Sequence, residues 1–148
     1  MIDWVATRDA VADILRTKVN IVHGYPRLEI DNQFSRWRKL MSDTRRINAW
    51  TILRSNMSNR FGTCKQIYAT TNVMLVGMLQ HDDASASQDE FDALIDSVLE
   101  VFFEKFRLRE NIDIQGPAQL LVEELRQVDS NPVHYCEITF QVQQTVQI

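Results

Sequence analysis

The sequence predicts one α+β domain, in which a small, mostly antiparallel or mixed β-sheet is flanked by helices as an α/β sandwich. Its 148 residues suit a single domain over 1–148 with one hydrophobic core. One segment, about 87–107, repeats apolar residues at helical spacing. Elsewhere, strand-like segments follow one another without a helix between them, which favours antiparallel neighbours.

The first part of the chain predicts a helix, an extended segment and a second, short helix. Asp3 is a suitable N-cap for the first helix, which ends near Lys18. The following segment, VNIVHGYPRLE, is interrupted by Gly24 and Pro26, as is typical of extended chain. NQFSRWRKLMSD then places aromatic and aliphatic residues on one side of a helix and basic residues on the other.

A β-rich region occupies the middle of the chain. INAWTILRS predicts a strand, and the NMSNRFG segment after it has the composition of a loop. From Cys64 to Leu79 the chain is β-rich and carries no charge after Lys65. This run is long for one strand, so it predicts either a bend or a strand that is buried on both faces.

The clearest element is a long amphipathic helix at about 87–107. Ser87 and Glu90 have the spacing of a capping box, in which each side chain satisfies one free amide at the helix start. Apolar residues then recur with a period near 3.6, and acidic residues cover the outer face. The apolar positions are Phe91, Leu94, Ile95, Val98, Phe102 and Phe106, and the acidic ones include Asp92, Asp96 and Glu100.

Two further strand-like segments complete the predicted sheet. After a turn at Gly116-Pro117, AQLLVEELRQV is compatible with either a strand or a short helix. The last segment, PVHYCEITFQV, alternates regularly with a period of two, and we expect its apolar face to pack against the long helix. The residues on that face are His134, Cys136, Ile138, Phe140 and Val142.

This last strand also contains the residues that look most like a chemical site. His134 and Cys136 share a face, and Cys64 from a neighbouring strand would add a third possible metal ligand. Strand alternation accounts for all of these residues, so we interpret them as structural. Two distant cysteines support neither a disulfide framework nor a zinc site.

No catalytic motif stands out in the rest of the sequence. The chain has no phosphate-binding glycine loop and no nucleophile elbow. His23 and His81 look isolated, and Asp82-Asp83 lies in a polar loop where acids are common. The sequence therefore predicts a protein that is not an enzyme and that holds no metal or cofactor.

Neither a secretory signal nor a membrane span is indicated. The N-terminal MIDW has no basic region followed by an apolar run. The longest uncharged stretch, 66–80, is shorter than the ~18 apolar residues that cross a bilayer. The net charge of −4 argues against general affinity for nucleic acid. We expect a soluble protein made in a cytoplasm.

Charge is distributed unevenly along the chain. Residues 32–65 hold eight bases and one acid, a balance of +7, whereas residues 82–124 hold three bases and twelve acids, a balance of −9. These segments are either two solvated faces, or surfaces that meet between copies of the chain or on DNA. Possible subunit-interface charges are Arg45, Arg46, Arg54, Asp92, Asp96 and Glu100.

Five strings occur in an order that resembles the tail terminator, or tail completion, proteins in the neck of long-tailed bacteriophages. They are FSRWRKL, RRINAWTI, DDASASQDEFDALIDSV, GPAQ and HYCEITF, and the resemblance covers roughly residues 20–142. It implies a small sheet flanked by helices and a ring, hexameric in this family, that caps the tail tube and ends its polymerisation. It also implies a virion location, the tail tube and head-tail connector as partners, genomic DNA passing through the ring, and no catalytic residue.

Two other functions are compatible with the sequence. A head-closure or head-tail adaptor protein of the neck would have similar partners. A small nucleic-acid-binding domain would use the basic segment, but Phe34, Trp37 and Trp50 stand at core-like positions, which leaves few aromatic rings for stacking on bases.

Overall fold

The computed structural model describes residues 3–19, 24–25, 48–62, 65–82, 86–128 and 131–147. These residues form an α+β domain of mostly antiparallel sheet with two helices. The predicted short helix at 32–43 lies outside them. In chain order the elements are α1 (Trp4–Lys18), β1 (Gly24–Tyr25), β2 (Asn48–Phe61), β3 (Gln66–Gln80), α2 (Ser87–Val101), β4 (Phe106–Arg109), β5 (Ile112–Ile114), β6 (Gln119–Val128) and β7 (Asn131–Gln147).

The described strands form one sheet with β7 near its centre. Its order is β1-β2-β3-β7-β5-β4, and β6 also pairs with β7. One edge of β7 pairs with β3 along its length. The other edge is shared, because β6 pairs with the first half of β7 and β5 with the second half. All these pairings are antiparallel except that of β1 with β2, so the long strands alternate in direction across the sheet.

The first helix begins where the sequence predicts. The Asp3 carboxylate accepts a hydrogen bond from the amide of Ala6 at 3.1 Å, as expected of an N-cap. The helix ends at Lys18, also as predicted. It buries Val11, Ala12 and Leu15 against the sheet.

Both helices contribute to the core on one face of the sheet, which we call the helix face. From α2 and the residue after it, Phe91, Ile95, Val98 and Phe102 are buried in the same cluster as residues of β7. This confirms the prediction that the final strand packs against the long helix. The residues from the sheet are Trp50, Ile52, Val73, Leu75, Leu79, Ile112, Ile114, Cys136, Ile138, Phe140 and Val142.

Trp50 fits into this core because the residue opposite it has no side chain. Trp50 of β2 and Gly77 of β3 are cross-strand partners, and Trp50 is fully buried. A Cβ atom on Gly77 would lie 2.6 Å from two indole atoms. Glycine at this position therefore makes room for the largest side chain of the core.

The opposite face of the sheet is buried as well. A second apolar cluster there is formed by Ala49, Val76, Met78, Val133 and Tyr135. As a result, β3 is buried on both faces from residue 75 to residue 79. This confirms the second of the two alternatives for the long uncharged run.

Two elements differ from the sequence-based expectation, and one open alternative is decided. NMSNRFG is not a loop, because β2 continues after a bulge and residues 57–61 pair with residues 67–71. The long helix ends at Val101 rather than near residue 107, and Phe106 begins β4. Of the two alternatives for AQLLVEELRQV, the strand is confirmed as β6.

The early end of α2 has a local cause. The Phe102 carbonyl accepts a hydrogen bond from the amide of Ala118 at 3.0 Å. This bond holds the helix end against the segment that contains the cis Gly116-Pro117 peptide bond. Continuation of the helix would require that carbonyl for an intrahelical bond.

Neither described helix has the length and apolar character needed to cross a bilayer.

Candidate functional site

A buried hydrogen bond joins the start of α2 to β7. The Ser87 Oγ lies 2.8 Å from Nε2 of His134, and these residues are only 2% and 3% exposed. The Asp82 amide donates to the same hydroxyl at 2.9 Å. Because Ser87 Oγ accepts that bond, its own proton is available for an unprotonated Nε2 of His134.

This bond replaces the predicted capping box, which is wrong. Ala86 is the N-cap of α2, with a φ of 54°, and its side chain makes no capping hydrogen bond. Ser87 is the first helical residue, and its hydroxyl points into the core towards His134. A buried imidazole without a partner would cost free energy, and the serine supplies that partner.

A serine bonded to a histidine is also the minimal pair of a nucleophile and its base. Here both groups lie below the surface. The Phe91 ring stacks on the His134 ring with 5.5 Å between their centroids. The His81 ring contacts the same His134 ring, with 5.2 Å between their centroids. A substrate carbonyl would need an open path to the hydroxyl, so the pair acts as a structural link. His81 is thus not isolated, as the sequence suggested, but packed beside His134.

The thiol of Cys136 is placed as a core residue. It is fully buried on the helix face of β7, and burial raises the pKa of the thiol to about 12. A thiol that stays protonated is a poor nucleophile and a poor metal ligand. Cys64, the third ligand of the metal hypothesis, lies outside the described residues. Within the described ranges, no three or more histidine, cysteine, aspartate and glutamate side chains are grouped to hold a metal ion.

Carboxylates gather where the outer face of α2 meets β6. Asp92, Asp96 and Glu100 are all exposed, as the sequence predicts. Gln88 donates to Asp92 at 2.9 Å and to Glu123 of β6 at 3.3 Å. The hydrogen bond with Asp92, together with partial burial and the charge of that carboxylate, raises the pKa of Glu123. The α2–β6 surface therefore carries closely spaced negative charge.

Basic residues lie at the opposite end of the sheet. Arg54 of β2 is exposed, and its guanidinium lies over the Trp4 ring of α1 at 5.7 Å. Arg60, also exposed, lies over the Tyr68 ring at 5.2 Å. Arg45 and Arg46 lie outside the described residues. Arg54 and Arg60 are thus held by aromatic contacts while their charge remains at the surface.

Exposed leucines occur on β6. Five large apolar side chains are exposed among the described residues, and three of them, Leu120, Leu121 and Leu125, are on this strand. Leu121 occupies a bulge, where the register with β7 shifts. This patch could not be predicted from the sequence, because AQLLVEELRQV is compatible with either a helix or a strand. The sequence signal for an exposed apolar patch is the leucine pair at 120–121 close to the glutamate pair at 123–124.

Two surface cavities lie beside the described elements, and the lining of the first includes Glu100. One, of about 580 Å³, is at the C-terminal end of α2 and is bordered by the exposed Phe103. The other, of about 350 Å³, lies between the end of β5 and the start of β6 and is lined mainly by amide side chains such as Asn72 and Gln141. Neither is lined by histidine, cysteine or serine, the residues most used as nucleophiles and bases.

In comparisons with known proteins, the chain matches no family model and no curated protein.

Proposed function

We propose that this protein is a structural component of a phage virion, a tail terminator of the neck. In this proposal six copies form a ring that caps the tail tube, ends its polymerisation and joins the tail to the head-tail connector. Genomic DNA passes through the ring. Each subunit is an α/β sandwich whose long amphipathic helix presents its acidic face to a neighbour.

Charge at the two ends of the sheet is the observation that carries this proposal. The α2–β6 end exposes Asp92, Asp96 and Glu123, and the β2 end exposes Arg54 and Arg60. A ring needs two different, complementary surfaces on each copy, because its contacts are heterologous. A two-fold dimer through either end would place like charges together.

The order of the five sequence strings supports the same function. The segments DDASASQDEFDALIDSV and HYCEITF meet in the folded chain, since the first contains the start of α2 and the second lies in β7. Their contact includes the bond between Ser87 and His134. The resemblance therefore falls on parts of the chain that pack together.

The test is the state of the purified full-length protein. We expect a particle of six chains by light scattering or native mass spectrometry, and a ring with a central hole by negative-stain imaging. Added to growing tail tubes, the protein should stop their elongation. A monomer at all concentrations would contradict the proposal.

The same preparation separates the alternatives. An adaptor of the head side would bind the connector and leave tube growth unchanged. A nucleic-acid-binding domain would bind DNA as a single chain, with an affinity that falls steeply as salt rises.

A further inference from the structure

Strand β6 leaves one edge of the sheet open. It pairs with β7 from Gln119 to Val128, and no strand of the described ranges pairs with its other side. Unpaired amides and carbonyls on an edge are a template for another strand. Leu121 and Leu125 on β6 are both 54% exposed, so this edge also carries apolar area that water covers in the isolated chain.

At the far edge of the sheet, the outer side of β2 is paired over only a short length among the described residues. β1 pairs with β2 only at Trp50 and Thr51. From residue 52 to residue 61, no strand of the described part of the chain lies beside β2 on that side. The whole of β2 contains two bases, Arg54 and Arg60, and no acid.

Strand direction makes these two edges compatible. Since β2, β3, β7 and β6 are each antiparallel to the next, β2 and β6 run in opposite directions. If a second copy continues the sheet head to tail, its β2 lies antiparallel to β6 of the first copy. Antiparallel pairing is the more stable ladder.

The charged residues of the two edges lie on the same face of the sheet. Glu123 is on the helix face of β6, where it contacts Gln88 of α2. Arg54 is on the helix face of β2, where it lies over Trp4 of α1. In a sheet that continues from copy to copy these residues share a face. The hydrogen bond with Asp92 and, to a smaller extent, its charge raise the pKa of Glu123, and a cation from the neighbour would offset that charge.

We propose that β6 of one copy pairs antiparallel with the outer edge of β2 in a second copy, with Leu121 and Leu125 covered at the contact and Arg54 facing the Asp92–Glu123 carboxylates. The inference rests on the proposed ring and names its subunit contact. A contact between two β6 edges with Glu123 opposite Glu123 is disfavoured, because it would bring two carboxylates together; Glu124 is already paired with Arg126.

The first experiment tests the apolar part of the contact. Leu125→Asp should raise the protein concentration needed for half-assembly by about tenfold or more, because a charge would be buried at the contact. Val5→Asp is the matched control, since Val5 on α1 has the same 54% exposure as Leu125. It should assemble like the parent. Circular dichroism melts would establish that both variants fold.

The second experiment tests the pairing of charges. Glu123→Lys and Arg54→Glu should each weaken assembly about two- to fivefold, the effect of a surface ion pair. A 1:1 mixture of the two variants should recover assembly, because β6 of each variant then meets a complementary β2 of the other in an alternating ring. Glu110→Lys in the turn between β4 and β5 is the control: it should assemble like the parent, and its 1:1 mixture with Arg54→Glu should assemble no better than the average of the two separate proteins.

The outcomes distinguish this contact from the function on which it rests. Rings that form normally with Leu125→Asp, or a mixture no better than its components, would overturn the contact and leave the ring proposal standing. Parent protein that assembles into open chains, and loses them in Leu125→Asp, would overturn the ring and support the contact. A parent that stays monomeric overturns both.

Discussion

The rings of Phe102 and Phe140 stack face to face, with centroids 4.4 Å apart and planes 9° from parallel. Phe102 lies just after α2 and Phe140 lies in β7, so the pair joins the helix end to the central strand. Both side chains are almost fully buried. Their contact is part of the helix-face core.

Truncation of either ring should destabilise the domain strongly. We expect Phe102→Ala or Phe140→Ala to lower the free energy of unfolding by about 3–5 kcal/mol, through lost burial and the cavity left behind. Denaturant titration followed by circular dichroism measures this change. Phe103→Ala is the control, since the neighbouring ring is 62% exposed. Wild-type stability in either core variant would contradict this packing.

The link between Ser87 and His134 should also affect stability. Ser87→Ala removes the hydroxyl that lies 2.8 Å from Nε2 of the buried His134 imidazole. We expect a loss of about 1–3 kcal/mol, the cost of an unsatisfied buried polar group. Ser97→Ala, on the exposed side of the same helix, should cost far less, because Ser97 donates only to the Ala93 carbonyl. Equal effects in the two variants would show that Ser87 contributes no specific link.

The thiol of Cys136 should be chemically silent in the folded chain. With a pKa raised to about 12, its thiolate fraction at pH 7 is on the order of 10⁻⁵, even before burial limits access. In a Cys64→Ser background, a thiol reagent should label Cys136 only after denaturant is added. Metal analysis of the dialysed protein should find no stoichiometric ion, and a zinc that survives dialysis would overturn the structural interpretation of HYC.

Elements with strong periodicity could be predicted from the sequence, and elements defined by pairing could not. α1 and the face of β7 that contains Phe140 follow directly from apolar spacing. The extension of β2 past Ser55 was not predictable, because a polar segment becomes a strand there only through its pairing with β3. β4 and β5 are too short to show a period.

The candidate surfaces show the same division. The exposed acids of α2 could be read from helical spacing, since Asp92 and Asp96 fall opposite the apolar stripe. The link between Asp92 and Glu123 could not be predicted from the sequence, because it joins segments that are distant along the chain. Ser87 was misassigned because a local capping pattern and a long-range bond to His134 compete for one hydroxyl.

Protonation of Glu123 should stabilise the contact between α2 and β6. The hydrogen bond with Asp92 raises its pKa in the folded chain above the ordinary value of 4.5. The native state therefore binds this proton more tightly, and stability is gained as pH falls from neutral towards that value. We expect Glu123→Gln to melt at a higher temperature than the parent at pH 7, with a difference that shrinks on acidification.

The matched comparison for this effect is Glu110→Gln, because Glu110 is exposed in the turn between β4 and β5. Differential scanning calorimetry at several pH values would record both variants. A Glu123→Gln variant that is less stable than the parent at pH 7 would show that the carboxylate is favourable as the charged form.

Reversal of charge should affect assembly more than folding. Exposed ion pairs contribute only about 0.2–1 kcal/mol each, so charge sets partner choice while apolar contacts hold the copies together. We therefore expect Arg45, Arg46 and Arg54 changed to Glu to weaken the ring, and Asp92, Asp96 and Glu100 changed to Lys to do the same. The melting temperature of the single chain should hardly move in either variant, because the described members of both sets are exposed.

A chain that carries both sets of changes should recover part of the assembly, since each reversed surface again meets its complement. Sedimentation at several salt concentrations measures all three variants. Normal assembly of both single sets at every salt concentration would mean that the two charged segments are solvated faces and take no part in the ring.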